Sequence, residues 1–154
     1  MRIILASMIL DIKEEIKNKI AKVEEIIKFG ERTGILIAMD SNVRSQAWHD
    51  KQTNTRGRIL EEYIASRDLN IMNEESEHTT HHTRRGRSNI DLTITNNQIL
   101  KTLKEWEISM EERSSDHNIK NIKLNKKIIT EFNTITQGRD TLQQKGNIND
   151  LITN

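Results

Sequence analysis

The chain has 154 residues, 34% of them hydrophobic, and even with its six glycines it falls short of the roughly 45–50% apolar share usual for a globular domain. Its 24 basic and 23 acidic residues leave a net charge of +1, which excludes a global field for nucleic acid or membrane and makes any phosphate-binding surface a local one. The absence of cysteine excludes disulfide scaffolds, thiolate metal sites and cysteine nucleophiles.

Ile3 to Leu10 is short, apolar and β-branched and predicts a strand. Ile12, Ile16, Val23 and Ile27 then recur at helical spacing, predicting a helix that starts near Asp11 as N-cap and stops at Gly30 with a left-handed C-cap. No stretch reaches the length of a membrane span, and the opening segment meets Asp11 and Lys13 without a cleavage signal. The sequence therefore predicts a soluble intracellular protein, nuclear or cytoplasmic and not secreted, with no membrane partner. Ile35 to Met39 is a continuous apolar run that suits a strand buried on both faces, and its end delivers Asp40, Ser41 and Asn42 into a loop. Thr55 is placed to cap a second helix with Ile59, Leu60, Tyr63 and Ile64 inward, and Leu69 to Met72 reads as a third strand, giving the order βαβαβ.

Further on, Thr79 to Thr83, a turn at Arg85 and Gly86, and Ile90 to Thr95 predict a hairpin, and Trp106 to Met110 another strand. Beyond Lys123 the composition turns to Lys, Asn, Gln and Thr. Residues 1–123 are expected to form the folded part, with 124–154 a polar tail, weakly helical or disordered.

Several residues can carry chemistry. Asp40 and Asn42, two apart at a strand end, would share a face in extended backbone and orient a water against a phosphate, although the triplet is also simply a good turn sequence. Ser115, Asp116 and His117 offer a proton carrier tuned by a neighbouring acid, or a solvated loop histidine. Strand alternation sets Asp91 opposite Ile90, Leu92 and Ile94, where a covered carboxylate needs a partner such as a histidine donor. His78, His81 and His82 lack the spacing of a zinc site. Arg84, Arg85 and Arg87 form a basic hairpin tip, and Arg56 and Arg58 flank Gly57 at a helix start; such arginines are either solvated or suited to phosphate contacts.

Taken in order, Ile-Ala-Met-Asp-Ser-Asn, Trp48, Thr-Arg-Gly-Arg, Leu-Asn-Ile-Met-Asn-Glu, Ser-Asn-Ile-Asp-Leu-Thr, Trp106 and Ser-Asp-His resemble the endonuclease/exonuclease/phosphatase superfamily. More narrowly, the set is similar to the apurinic-endonuclease-like domain of non-LTR retrotransposon polyproteins, across Met1 to about Ile122. The resemblance implies an α/β (α+β) sandwich and a magnesium-dependent endonuclease that nicks DNA by phosphodiester hydrolysis beside a reverse transcriptase domain. It assigns catalytic roles to Asp40, Asn42, Asp91 and His117 and places Asp116 at the metal with Asp40 nearby. DNA contact, where it occurs, is expected at Arg84, Arg85 and Arg87 with Arg56 and Arg58 as helpers, from their charge and grouping.

The same resemblance implies that the family's N-terminal half, with its metal-binding glutamate, is missing. Ile9 stands where the family has a catalytic tyrosine, Met39 where it has glycine and His81 where it has an aromatic. The expectation is a truncated, inactive fragment with open sheet edges able to self-associate; the alternative is a non-catalytic nucleic-acid-binding or protein-interaction remnant.

Overall fold

A computed structural model of the chain describes residues 2–109, 111, 115–125 and 131–136. The first strand, β1 (Arg2–Ile9), leads through a turn into helix α1 (Ile16–Phe29) and then into β2 (Gly34–Asp40). A short 3-10 turn at Gln46–Trp48 precedes helix α2 (Thr55–Ser66). There follow β3 (Asn70–Ile71), the small strands β4 (His81–Thr83) and β5 (Gly86–Ser88), and β6 (Asp91–Thr95). The short helix α3 (Asn97–Leu100) and strands β7 (Leu103–Ile108), β8 (Lys120–Leu124) and β9 (Glu131–Thr136) complete the described elements.

Five strands form one mixed sheet in the order β3-β6-β2-β1-β9, while β4-β5 and β7-β8 are separate antiparallel pairs. β2 runs parallel to β1 and antiparallel to β6. Its continuous apolar run is explained by burial on both faces. Ile35, Ile37 and Met39 join Ile4, Ala6, Met8, Leu92 and Ile94 in the main core under α1 and α2. Leu36 points the other way, to Ile3 and Ile99, with Leu5, Ile122 and Leu124 packed against them.

Strand alternation therefore defines the opposite face of the sheet by Leu5, Ser7 and Ile9 of β1, Leu36, Ala38 and Asp40 of β2, and Asp91, Thr93 and Thr95 of β6. The β7–β8 pair covers part of this face, and the Trp106 indole donates to the Thr93 hydroxyl at 3.2 Å. At the far end of β1 the cover stops, leaving Ile9 60% exposed directly beside Asp40 in register.

Several expectations need correction. α1 starts at Ile16, not near Asp11, because residues 11–14 are held in a turn. The Asp11 carboxylate accepts the Lys13 amide at 2.9 Å, and the Arg56 guanidinium donates to the carbonyls of Asp11, Ile12 and Glu14 at 3.3, 3.5 and 2.7 Å. Those carbonyls are thus diverted outside the helix, and Ile12 is left exposed. Gly30 ends α1 with φ −98°, so it is not a left-handed cap; a Cβ there would lie 2.7 Å from Ile35 and 2.9 Å from Ile4, and space is what the glycine provides. Asn54, not Thr55, caps α2, accepting the Gly57 amide at 2.7 Å.

The expected hairpin partner Ile90 to Thr95 is instead β6 of the main sheet, and β4 pairs with the intervening β5. The strand expected at Trp106 to Met110 is β7, three residues earlier, and Met110 lies outside the described residues. In the segment expected to be a weakly helical or disordered tail, Glu131–Thr136 is a strand parallel to β1, so that edge of β1 is not open; the rest of 126–154 lies outside the described residues.

Gly57 is a packing requirement at the head of α2: a Cβ would fall 2.0 Å from the Arg44 carbonyl oxygen, a backbone atom that cannot swing away. Gly57→Ala is expected to destabilise the chain by about 1–3 kcal/mol or more, read as a lower midpoint of urea unfolding.

Candidate active site

The site forms where β2 ends and β6 begins. Asp40 and Asp91 are direct partners in the antiparallel β2–β6 ladder and share the face opposite α1 and α2. His117, in the segment before β8, closes over them. Its Nδ1 lies 3.0 and 3.1 Å from the two Asp91 carboxylate oxygens. A carboxylate accepts, so Nδ1 carries the hydrogen, and Nε2 is turned toward Asp40, 3.9 Å from its Oδ2. The Lys120 ammonium is 3.2 Å from Asp91 Oδ1. These groups, with Ser7, Met8, Ile9, Ala38 and Met39, line an open cleft of roughly 230 Å3.

A buried polar framework fixes Asp91 and His117 relative to each other. The Asp91 amide donates to the buried Thr80 hydroxyl at 3.0 Å, and the Asn73 side-chain amide donates to the Asp91 carbonyl at 2.9 Å. Thr80 in turn accepts the Asn118 amide on its carbonyl at 2.8 Å, and the His82 amide donates to the Asp116 carbonyl at 2.8 Å. His81 forms a β-bridge with His117, and their rings meet edge-on with centroids 4.7 Å apart. The 79–82 segment is thus the clasp between the two residues.

Burial and the facing Asp91 carboxylate push the Asp40 carboxyl above the ordinary 3.8, opposed by His117, the Asn42 backbone N–H and Lys120. Asp40 Oδ1 is buried with no hydrogen-bond partner.

Of the expected site residues, Asp40, Asp91 and His117 come together, while Asn42 reaches Asp40 through its backbone amide only and its side chain does not join them. The strand ends at Asp40, Asn42 adopts φ 50°, and its side-chain amide donates to the Leu10 carbonyl at 3.3 Å, so the extended-backbone argument for a shared face fails. Asp116 is exposed, and its carboxylate is not among the clustered ligand atoms. Arg56 is engaged by the three backbone carbonyls of the α1 turn and serves the fold, not a free cationic surface. Arg58, Arg84, Arg85 and Arg87 are exposed, the last three around the turn of the β4–β5 hairpin whose base abuts His117.

Lys120 was not singled out from the sequence. The signal was available: alternation along β8 puts Lys120 on the same face as Ile122 and Leu124, which pack inward.

Asp40, Asp91 and His117 each offer a ligand atom within 4.8 Å of the others, a grouping of the size that can hold a metal ion. The donors are one imidazole nitrogen and two carboxylates, and the orphaned Asp40 oxygen suits a cation. Magnesium, however, takes oxygen ligands in octahedral array and keeps its waters. Here Asp91 already carries both His117 and the Lys120 ammonium. With Lys120 in place the described residues do not fit magnesium.

A mixed sheet with α1 and α2 on one face and a short helix and a strand pair on the other is an α+β arrangement of the endonuclease/exonuclease/phosphatase type. Residues 3–120 match the family model described as endonuclease-reverse transcriptase, and the chain belongs to that family. It is 34% identical over 100 residues to the retrovirus-related Pol polyprotein from type-1 retrotransposable element R1 of Bradysia coprophila, a match covering 60% of this chain and 10% of the polyprotein. Among solved structures, the endonuclease domain of TRAS1, a telomere-specific non-LTR retrotransposon, superposes with a TM-score of 0.67 at 25% identity, covering 77% of this chain and 56% of that one. The 3'-5' exonuclease NExo from Neisseria meningitidis, at 14% identity and a TM-score of 0.55 over 71% of this chain and 53% of its own, shares the fold. The chain thus spans little more than half of these solved relatives and a tenth of the polyprotein.

The pH dependence of Asp40 has a definite sign. A folded-state value above 3.8 means that the folded chain holds this proton more tightly than the unfolded chain. The contribution favours folding in acid and is lost as pH rises through the raised value, leaving a desolvated charge at neutral pH. Asp40→Asn is expected to raise the thermal unfolding midpoint at pH 7, and calorimetry should show the advantage disappearing below pH 3.8.

Proposed function

We propose that this chain supplies the phosphate-facing part of a DNA-nicking endonuclease site, as an intracellular module of a non-LTR retrotransposon polyprotein that also carries reverse transcriptase. The observation that carries the reading is His117, held through Nδ1 by Asp91 with Nε2 presented to the cleft beside Asp40. Asp91 fixes the tautomer and orientation of the ring, as an orienting carboxylate does in acid–base constellations. Protonated His117 donates from Nε2 to a phosphate oxygen and stabilises the charge that develops in phosphodiester hydrolysis. Asp40, with its carboxyl pushed up, is the better proton acceptor for an attacking water.

Hydrolysis in the resembling family is magnesium-dependent, and the metal there supplies positive charge to the phosphoryl oxygens. The described residues of this chain do not fit that ion, and Ile9 brings no hydroxyl to the edge of the cleft. We therefore propose that the chain by itself binds without cleaving, because the elements of such a site fail together when one is lost.

Supercoiled plasmid with magnesium should remain intact in the presence of this chain. Fusing the part of a relative's domain that the present match does not cover, together with Ile9→Tyr, is expected to bring nicking back, and His117→Ala should then abolish it. Nicking by the unmodified chain that disappears in His117→Ala contradicts the inactive reading; a fusion that nicks equally well without His117 removes that residue from the mechanism.

DNA contact is assigned to the hairpin tip, Arg84, Arg85 and Arg87, with Arg58 as a helper. Binding should be independent of sequence and weaken with salt, each lost phosphate contact reducing the slope of log affinity against log salt by about one. The triple Arg→Ala variant should show that reduction in fluorescence anisotropy, whereas Arg56→Ala should act on stability instead. A salt-insensitive curve, or one unchanged in the triple variant, refutes the assignment.

A further inference from the structure

Lys120 is the charged residue of the cleft to which the reading above gives no role. It is delivered inward by β8, on the face of Ile122 and Leu124, and only 22% of its side chain is exposed. Its ammonium lies 3.2 Å from Asp91 Oδ1, while Asp91 Oδ2 is 3.0 Å from His117 Nδ1. One carboxylate therefore serves two nitrogen groups, and the second carboxylate, Asp40, stands opposite it in the ladder with a buried oxygen that has no partner. An ammonium is a compact point charge, here held 3.2 Å from the carboxylate oxygen. A divalent ion entering the Asp40–Asp91–His117 group must either displace it from Asp91 or sit next to a like charge at short range, where repulsion is weakly screened.

We propose that Lys120 is the resident cation of this site: it neutralises the facing carboxylates and thereby sets the group against divalent metal ions. The inference rests on the reading of the cleft as the reaction site only for its meaning. Its test reads metal binding and not nicking, so the two stand or fall separately.

Manganese is the probe, because its paramagnetism broadens the ring resonances of a nearby histidine while calorimetry gives the affinity. Lys120→Met keeps the aliphatic length that packs against the sheet and removes the charge. It is expected to bind manganese at least tenfold more tightly than the unmodified chain, with broadening of the His117 ring. Lys120→Arg retains the charge and should stay at the unmodified affinity. Adding Asp40→Asn to Lys120→Met should erase the gain. Should circular dichroism show Lys120→Met unfolded, Lys120→Gln serves with the same readout. The proposal is overturned if the charge-removing variant binds no more tightly, if Lys120→Arg gains as much, or if the gain survives Asp40→Asn.

Discussion

Two carboxylates face each other across the β2–β6 ladder, and like charges directly opposite in an antiparallel pair repel. The register that puts Asp40 against Asp91 cannot slip by one residue, because the same slip would turn Leu92 and Ile94 out of the main core. Apolar packing on one face thus forces the charge conflict on the other. The structure answers it with a histidine and a lysine brought from the 117–120 segment, at 3.0 and 3.2 Å from Asp91. Asp40 receives less, with His117 at 3.9 Å, the Asn42 backbone N–H and one buried oxygen unpartnered, so the unresolved part of the conflict is concentrated on the carboxylate best placed to accept a proton.

Bringing residue 117 to residue 91 requires an intermediary, and the 79–82 segment provides it through backbone groups and the Thr80 hydroxyl. Thr80 is fully buried, holds the Asp91 amide with its hydroxyl and the Asn118 amide with its carbonyl, and donates its own amide to Asn89. Asn89 is anchored in turn by Asp50 and His49, which ties the site to the loop after β2. Buried polar groups linked in this way are costly to leave half-satisfied, so the network fixes one arrangement of its loops.

The arginines divide by what surrounds them. Arg56 lies over a turn whose carbonyls would otherwise have entered a helix, and its guanidinium gathers three of them. Arg84, Arg85 and Arg87 meet no such acceptors among the described residues and present their charge to solvent at the hairpin tip. Residue type was common to both groups; the local supply of backbone acceptors separated them.

The sequence alone was sufficient for everything that repeats with a local period. The apolar run at Ile35 to Met39 marked the central strand, the helical spacing marked α1 and α2, and alternation in β6 set Asp91 on the face away from Leu92 and Ile94. The ordered motifs also sufficed to place the chain in its superfamily. What the sequence could not determine depended on partners distant along the chain. Arg56 moved the start of α1, the positive φ at Asn42 took that residue from the site, β5 displaced β6 from the hairpin, and β9 paired with β1 from a segment with little apolar periodicity. Lys120 shows the boundary most clearly. Its inward face was legible from the alternation of β8, but its meeting with Asp91 was decided by the sheet register and the loop clasp, because electrostatic contact depends on distance in space and side-chain periodicity only on position along one strand.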